Sequence, residues 1–191
     1  AQDADQKRDD YLERMEHETE RLEALIQQLL SSQQADPELD THIDLAALLK
    51  DLCADASFEG AGDGKTMALD TSLQQAIVVS SGDLLHRAFD NILRNALRHT
   101  APHTTVTVRL KQDGQSFVTE VEDRGPGLPE DQLESIFEAF YRLDQVRTPG
   151  DGGHGLGLAI ARHAIQIHGG RVQASNTDHG LRIQVLLPTG S

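Results

Sequence analysis

The strongest constraint on the fold is the order in which strand-like and helix-like patterns alternate between residues 65 and 188. Residues 65–70 and 75–80 read as two short strands, the second carrying the β-branched run Ile77-Val78-Val79. Leu84, Leu85, Phe89, Ile92, Leu93, Ala96 and Leu97 then fall on one face of a helix over about residues 83–99. Residues 105–110 and 117–121 alternate as strands, and a further helix is predicted over about residues 130–140, leading into a Gly-rich stretch. The chain closes with a helix over about residues 156–168, stopped by Gly169-Gly170, and with strands near residues 171–174 and 181–187. Strands in pairs, separated by helices, fit helices on one face of a mixed or antiparallel sheet better than a doubly wound parallel fold.

The N-terminal part follows a different rule. From Tyr11 to Gln33 there is no Gly or Pro, and Leu12, Met15, Thr19, Leu22, Ile26, Leu29 and Gln33 recur at spacings of three and four. That is the seam of a bundle or coiled coil, with Glu13, Arg14, Glu16, Glu18, Glu20 and Arg21 outside it. Such a helix needs a partner, either a second copy or this chain's own globular part, and self-association through residues 10–33 is the expectation. Pro37, Asp40 and Thr41 mark a linker, after which Leu45, Leu48, Leu49 and Leu52 give an amphipathic helix ending near Ser57. The expected division is residues 1–36, a partial hairpin, and residues 37–191, the globular domain.

Composition excludes several functions. The 191 residues suit one compact domain with an appended helix. With 17 Lys+Arg against 31 Asp+Glu the formal net charge is −14, which repels a phosphate backbone and argues against direct nucleic-acid binding. A nucleotide can still bind where a few cations and backbone amides converge. Cys53 is the sole cysteine, so neither an intramolecular disulfide nor a zinc finger can form. There is no run of 18 apolar residues and no signal-peptide pattern, so no membrane contact is expected of these residues. A strongly charged segment opening on Ala1 is what a piece of a longer protein, or a processed N-terminus, would show.

Three polar clusters interrupt the core pattern. Asn91 and Asn95 sit one helical turn apart while Ile92, Leu93, Ala96 and Leu97 face the core, so two amides on one helix face could serve an octahedral cation. A solvated helix face is the plain alternative. The run from Glu122-Asp123-Arg124-Gly125-Pro126-Gly127 to Pro129 leaves a strand; its glycines let a ligand near the backbone and its carboxylate can accept from an exocyclic amine, although many turns look the same. The run from Pro149-Gly150 through Gly153-His154-Gly155-Leu156-Gly157-Leu158 opens onto a helix, where unpaired amides make an anion site. It lacks the lysine and spacing of a P-loop and the parallel unit of a dinucleotide fold.

In this order, with the Phe-rich stretch Ile136-Phe137-Glu138-Ala139-Phe140-Tyr141-Arg142 between the second and third clusters, the chain resembles the catalytic domain of two-component sensor histidine kinases, in the superfamily of gyrase, heat-shock chaperone, kinase and mismatch-repair ATPases. The resemblance covers about residues 40–188, and the N-terminal helix resembles the second helix of that family's dimerisation and phosphotransfer hairpin. It implies an α+β, two-layer sandwich with helices on one face of a mixed sheet, and binding of ATP with Mg²⁺. By position, Asn95 would ligate Mg²⁺ with Asn91 in support, and Asp123 would hydrogen-bond the adenine amino group. Gly125 and Gly127 would leave room for base and ribose. Gly153, Gly155, Leu156 and Gly157 would present backbone amides to the phosphates under a lid, with Arg98, His99 and Arg142 as cationic or polar contacts. Hydrolysing relatives carry a Glu where Asn91 stands, and an amide is no general base, which favours transfer over hydrolysis.

The family's phosphoacceptor is a His followed by Glu or Asp and an Arg/Lys-Thr-Pro run; no such run occurs here, and His17, followed by Glu18-Thr19-Glu20, reads as a surface residue. His163 and His168 read as structural or surface residues. The resemblance therefore implies a catalytic piece that needs an acceptor helix from its parent, a response regulator as partner, and a place on the cytoplasmic side of a membrane-anchored bacterial sensor. The competing expectation is a serine kinase of anti-sigma type, or a nucleotide-gated interaction module, on the same fold.

Overall fold

The computed structural model describes residues 39–81, 83–141 and 155–190. The predicted seam helix with His17, together with Arg142 and Gly153, lies outside the described residues.

Among the described residues the α-helices and strands are, in order, β1 (Thr41–Asp44), α1 (Leu45–Gly60), β2 (Thr66–Thr71), β3 (Ile77–Ser80), α2 (Leu84–His99), β4 (Thr105–Asp113), β5 (Ser116–Glu122), α3 (Gly157–Ile167), β6 (Arg171–Asn176) and β7 (Leu181–Pro188). The main sheet has the order β2-β4-β5-β7-β6; β2 and β4 run parallel and the other neighbours antiparallel. The parallel pair requires a crossover, and α2 lies in it. β4 and β5 form a hairpin around Gly114, whose φ of 58° is one that glycine adopts without strain. β1 and β3 make a separate antiparallel pair.

The period-2 pattern places Val106, Val108 and Leu110 of β4, Phe117 and Val121 of β5, and Ile183, Val185 and Leu187 of β7 in the core. Against them α2 turns Leu85, Ala88, Phe89, Ile92, Leu93, Ala96 and Leu97, and α3 turns Leu158, Ala161, Ala164 and Ile165. Helices thus cover one face of a mixed sheet, as the resemblance implies. The alternate positions carry charge: Glu122 receives Arg109 at 3.2 Å and Arg182 at 2.9 Å, and Glu120 receives Lys111 at 3.4 Å and Gln184 at 3.0 Å. Burial alone would push both carboxyls up, but for Glu122 the bonds from Arg182 and Arg109, and for Glu120 those from Gln184 and Lys111, leave each below its ordinary value.

His168, at the C-terminus of α3, is buried. Its Nδ1 is 2.6 Å from Ala164 O, which can only accept, so that nitrogen carries the proton and Nε2 accepts from the Ser80 hydroxyl at 2.8 Å. The bond ties α3 to β3. His163 is exposed.

Two expectations are corrected. Thr41, read as linker, begins β1, because a four-residue edge strand with one bulky apolar residue, Ile43, leaves almost no periodic signal; its register comes from pairing with β3. Asp44 then caps α1, its carboxylate accepting from Ala46 N and Ala76 N, both at 3.0 Å. The helix expected over residues 130–140 is two 3₁₀ turns, Glu130–Gln132 and Ser135–Phe137. Glu138 is extended and Phe140 has φ of 67°, so no helix can continue there, while Phe137 enters the core. Elsewhere the differences are at ends: α1 runs on to Gly60 and β4 to Asp113.

Candidate functional site

The site is assembled around the C-terminal half of α2. Core packing of Ile92, Leu93, Ala96 and Leu97 fixes the helix's rotation, which leaves Asn91 and Asn95 half-buried on its flank. Asn91 abuts the first turn of α3: a Cβ on Gly157 would stand 3.1 Å from Asn91 Oδ1. Two clusters 66 positions apart in sequence thus meet. The N-terminus of α3 receives no side-chain cap among the described residues, so its leading amides and the positive end of the helix dipole are available to an anion. Gly155 (φ 68°) and Leu156 lead into this terminus. Phe140 N donates to Gly155 O at 2.9 Å, and a Cβ on Gly155 would come within 2.5 Å of Tyr141 O. The described chain on either side of residues 142–154 is therefore joined where Phe140 and Tyr141 meet Gly155.

The second wall is the loop following β5. Asp123 is buried, 3% exposed; its Oδ1 accepts from Gly125 N at 2.8 Å and from Leu181 N at 3.1 Å, while its own N–H donates to Leu181 O at 3.0 Å. Oδ2 accepts no hydrogen bond from the described residues. The loop is stitched to the end of α2, where Arg124 N donates to the Thr100 hydroxyl at 3.0 Å and Ala101 N to Arg124 O at 3.3 Å. A Cβ on Gly125 would meet His99 O at 2.6 Å, so glycine is required here by packing against α2, whatever clearance it gives a ligand. Gly127 has φ of 70°.

Of the residues predicted from sequence, the structure brings Asn91, Asn95, His99, Asp123, Gly125, Gly155, Leu156 and Gly157 around this end of α2. Arg98 and His99 are exposed at its last turn, and Arg98 O accepts from Lys65 Nζ at 3.5 Å. Sequence reasoning missed Thr100, Asn176 and Gly180, which hold the Asp123 loop. Thr100 adjoins a cluster that was read, and Asn176-Thr177-Asp178-His179-Gly180 has turn composition, but nothing local names their partners.

Comparisons with known proteins agree with this fold. Residues 80–191 match the family described as Histidine kinase-, DNA gyrase B-, and HSP90-like ATPase. The sensor histidine kinase CpxA of Escherichia coli is 36% identical over 93% of this chain, and the alignment takes in 39% of CpxA, so the chain spans well under half of that relative. The mycobacterial sensor histidine kinase MprB superposes with a TM-score of 0.69 at 26% identity, covering 78% of this chain and 97% of that one. Full-length ShkA in complex with AMPPNP gives 0.70 at 26% identity, over 82% of this chain and 33% of ShkA. The chain belongs to the histidine kinase-, DNA gyrase B- and HSP90-like ATPase family and has the fold of a sensor histidine kinase catalytic domain.

Proposed function

We propose that this chain is the ATP-binding catalytic part of a two-component sensor histidine kinase, moving the γ-phosphoryl group of ATP to a histidine for relay to a response regulator. The observation that carries the reading is the juxtaposition of the Asn91 amide with the N-terminus of α3, which no described side chain caps, on the helix whose C-terminal end holds the Asp123 loop. Phosphate binding and base recognition are thereby provided on one rigid element. A relative with this fold, ShkA, forms a complex with AMPPNP.

In this reading the Asp123 carboxylate, through Oδ2, accepts from the adenine amino group, and a guanine carbonyl at that place would be repelled. The amides of Leu156 and Gly157 and of the glycines before them bind the phosphates, and Arg98, His99, Arg142 and Gly153 are assigned as further contacts. The Asn95 carboxamide oxygen is the hard, neutral donor that suits Mg²⁺. Among the described residues no group of three His, Cys, Asp or Glu side chains could hold a metal alone, so the ion fits best as one shared with the nucleotide's phosphates. Mg²⁺, when bound, neutralises phosphate charge. The incoming imidazole nitrogen forms the new N–P bond as the bond to the β–γ bridging oxygen breaks and ADP leaves, a step that asks for alignment and charge stabilisation rather than a protein base. Asn91, as an amide, orients and does not activate water.

Residues 10–33 are proposed to pair with a second copy, and the parent to be a membrane-anchored sensor with this part facing the cytoplasm. No described helix is long and apolar enough to cross a membrane. The test is isothermal titration with AMPPNP with and without Mg²⁺, followed by ³²P transfer from ATP to a supplied acceptor hairpin. Binding strengthened by Mg²⁺ with labelled histidine supports the assignment; a chain that binds no nucleotide, or one that only hydrolyses it, refutes it.

A further inference from the structure

We infer that Asn176, the last residue of β6, is a positioning residue for base selection: it fastens the Leu128 end of the Asp123 loop and so fixes the direction of the Asp123 carboxylate. The inference rests on the reading of Asp123 as the base acceptor.

Asn176 Oδ1 accepts from Leu128 N at 2.9 Å, and its Nδ2 donates to Leu128 O at 2.7 Å. The side-chain amide thus stands in for a neighbouring strand over one residue, satisfying both backbone groups. The remaining Nδ2 hydrogen reaches Glu130 Oε1 at 3.0 Å. The approach depends on Gly127, where a Cβ would stand 2.8 Å from Asn176 Oδ1. The turn between β6 and β7 also holds the loop's other end. A Cβ on Gly180 would come within 2.4 Å of Asp123 O, Leu181 exchanges backbone and carboxylate bonds with Asp123, and Thr177 N donates to Gly180 O at 2.8 Å to close the turn.

One turn therefore fixes both ends of a six-residue loop: Leu181 meets the backbone and carboxylate of Asp123, and the Asn176 amide holds Leu128, while Thr100 and Ala101 hold Arg124 between them. The consequence reaches Asp123 through Gly125. Oδ1 is held by one amide on β7, Leu181 N, and by one inside the loop, Gly125 N. Freeing Leu128 leaves the stretch from Gly125 to Gly127 tethered only through Arg124, and so loosens one of the carboxylate's two anchors. Oδ2 then no longer has a fixed direction, so the loss falls on discrimination between bases as well as on stability.

The experiment titrates the 191-residue chain with AMPPNP and with the corresponding guanine analogue, for wild type, Asn176→Ala, Asn176→Asp and the core control Val185→Ala, with thermal denaturation of each. Asn176→Ala is expected to lose roughly tenfold in affinity for the adenine analogue, with the preference over guanine shrinking in proportion. Val185→Ala is expected to melt lower and keep the wild-type preference. Asn176→Asp keeps an acceptor for Leu128 N but loses both donor bonds and faces Glu130; its preference should lie between, and rise again when Glu130→Gln is added. A folded Asn176→Ala with wild-type preference overturns the positioning role, as does an equal loss of preference in Val185→Ala. If Asn176→Ala fails to fold, Asn176→Asp decides by the same ratio. A wild type that binds both analogues equally overturns the base-acceptor reading and this inference with it, whereas a selective wild type with a selective Asn176→Ala overturns the positioning role alone.

Discussion

Replacing Asp123 by Asn and by Ala separates its two duties. The carboxylate is 3% exposed and accepts two backbone amides on Oδ1, so Asp123→Ala leaves Gly125 N and the buried Leu181 N without partners. Two hydrogen bonds to a charged acceptor, each worth about 1.5–3 kcal/mol, put the loss at roughly 3–6 kcal/mol. For a domain of this size that lowers the melting temperature by about 10 °C. Asp123→Asn keeps Oδ1 in place with weaker, neutral bonds, for about 1–2 kcal/mol. At Oδ2, however, the substituted amide offers a donor to the adenine amino group, and a clash of donors costs on the order of 3 kcal/mol, about a hundredfold in Kd. Calorimetric melting without nucleotide and titration with AMPPNP read the two effects independently. Expected is a stable Asp123→Asn that binds poorly and an unstable Asp123→Ala. An Asp123→Asn variant that binds as wild type refutes the acceptor role of Oδ2; one that melts as low as Asp123→Ala refutes the assignment of loop stability to the Oδ1 bonds.

Three further outcomes are expected. Asn95→Ala should bind AMPPNP in Mg²⁺ no better than wild type does in chelator, with an unchanged melting curve; a retained Mg²⁺ effect in the titration removes Asn95 from the metal. Gly157→Ala places a Cβ 3.1 Å from Asn91 Oδ1 at the mouth of the anion site, so affinity should fall about tenfold while Tm shifts by no more than about 3 °C, as read by titration and melting. Burial lowers the His168 pKa against the opposing pull of its bond to Ala164 O, so the folded protein favours the neutral ring. Stability is then full above the unfolded value of 6.5 and falls as pH drops below it, before Glu120 and Glu122, whose folded pKa values are also lowered, lose theirs beneath about 4.5. Melting curves between pH 7.5 and 5 should show this slope in wild type and a flatter one in His168→Gln.

The elements that sequence revealed are those whose burial is decided by their own spacing. All seven residues predicted for the face of α2 are buried except Leu84 in its first turn, which is half-buried, and β4 alternates as expected, whereas β5 is buried on both faces from Phe117 to Glu122. β1 escaped because its place depends on β3, and the segment after Pro129 because the extended Glu138 and a positive φ at Phe140, held by a bond to Gly155, end the helical spacing of Leu133, Ile136 and Phe137. The site shows the same division. Asn91, Asn95, Asp123 and Gly157 stand out as polar or glycine residues against strong periodicity. Thr100 and Asn176 act on partners 24 and 48 positions away, and such pairings are fixed by the register of the sheet and not by any short pattern.

The bond from Phe140 N to Gly155 O has an evolutionary corollary. Where the two feet of a segment are clamped together, its length is uncoupled from the body it springs from, and each doubling adds only about 0.6 kcal/mol of closure entropy. Insertions and deletions between Tyr141 and Gly155 should therefore be accepted by the fold with α3 still in register on α2. Proteins built on this plan are free to diversify there in size and composition while the helix terminus beside Asn91 stays where it is.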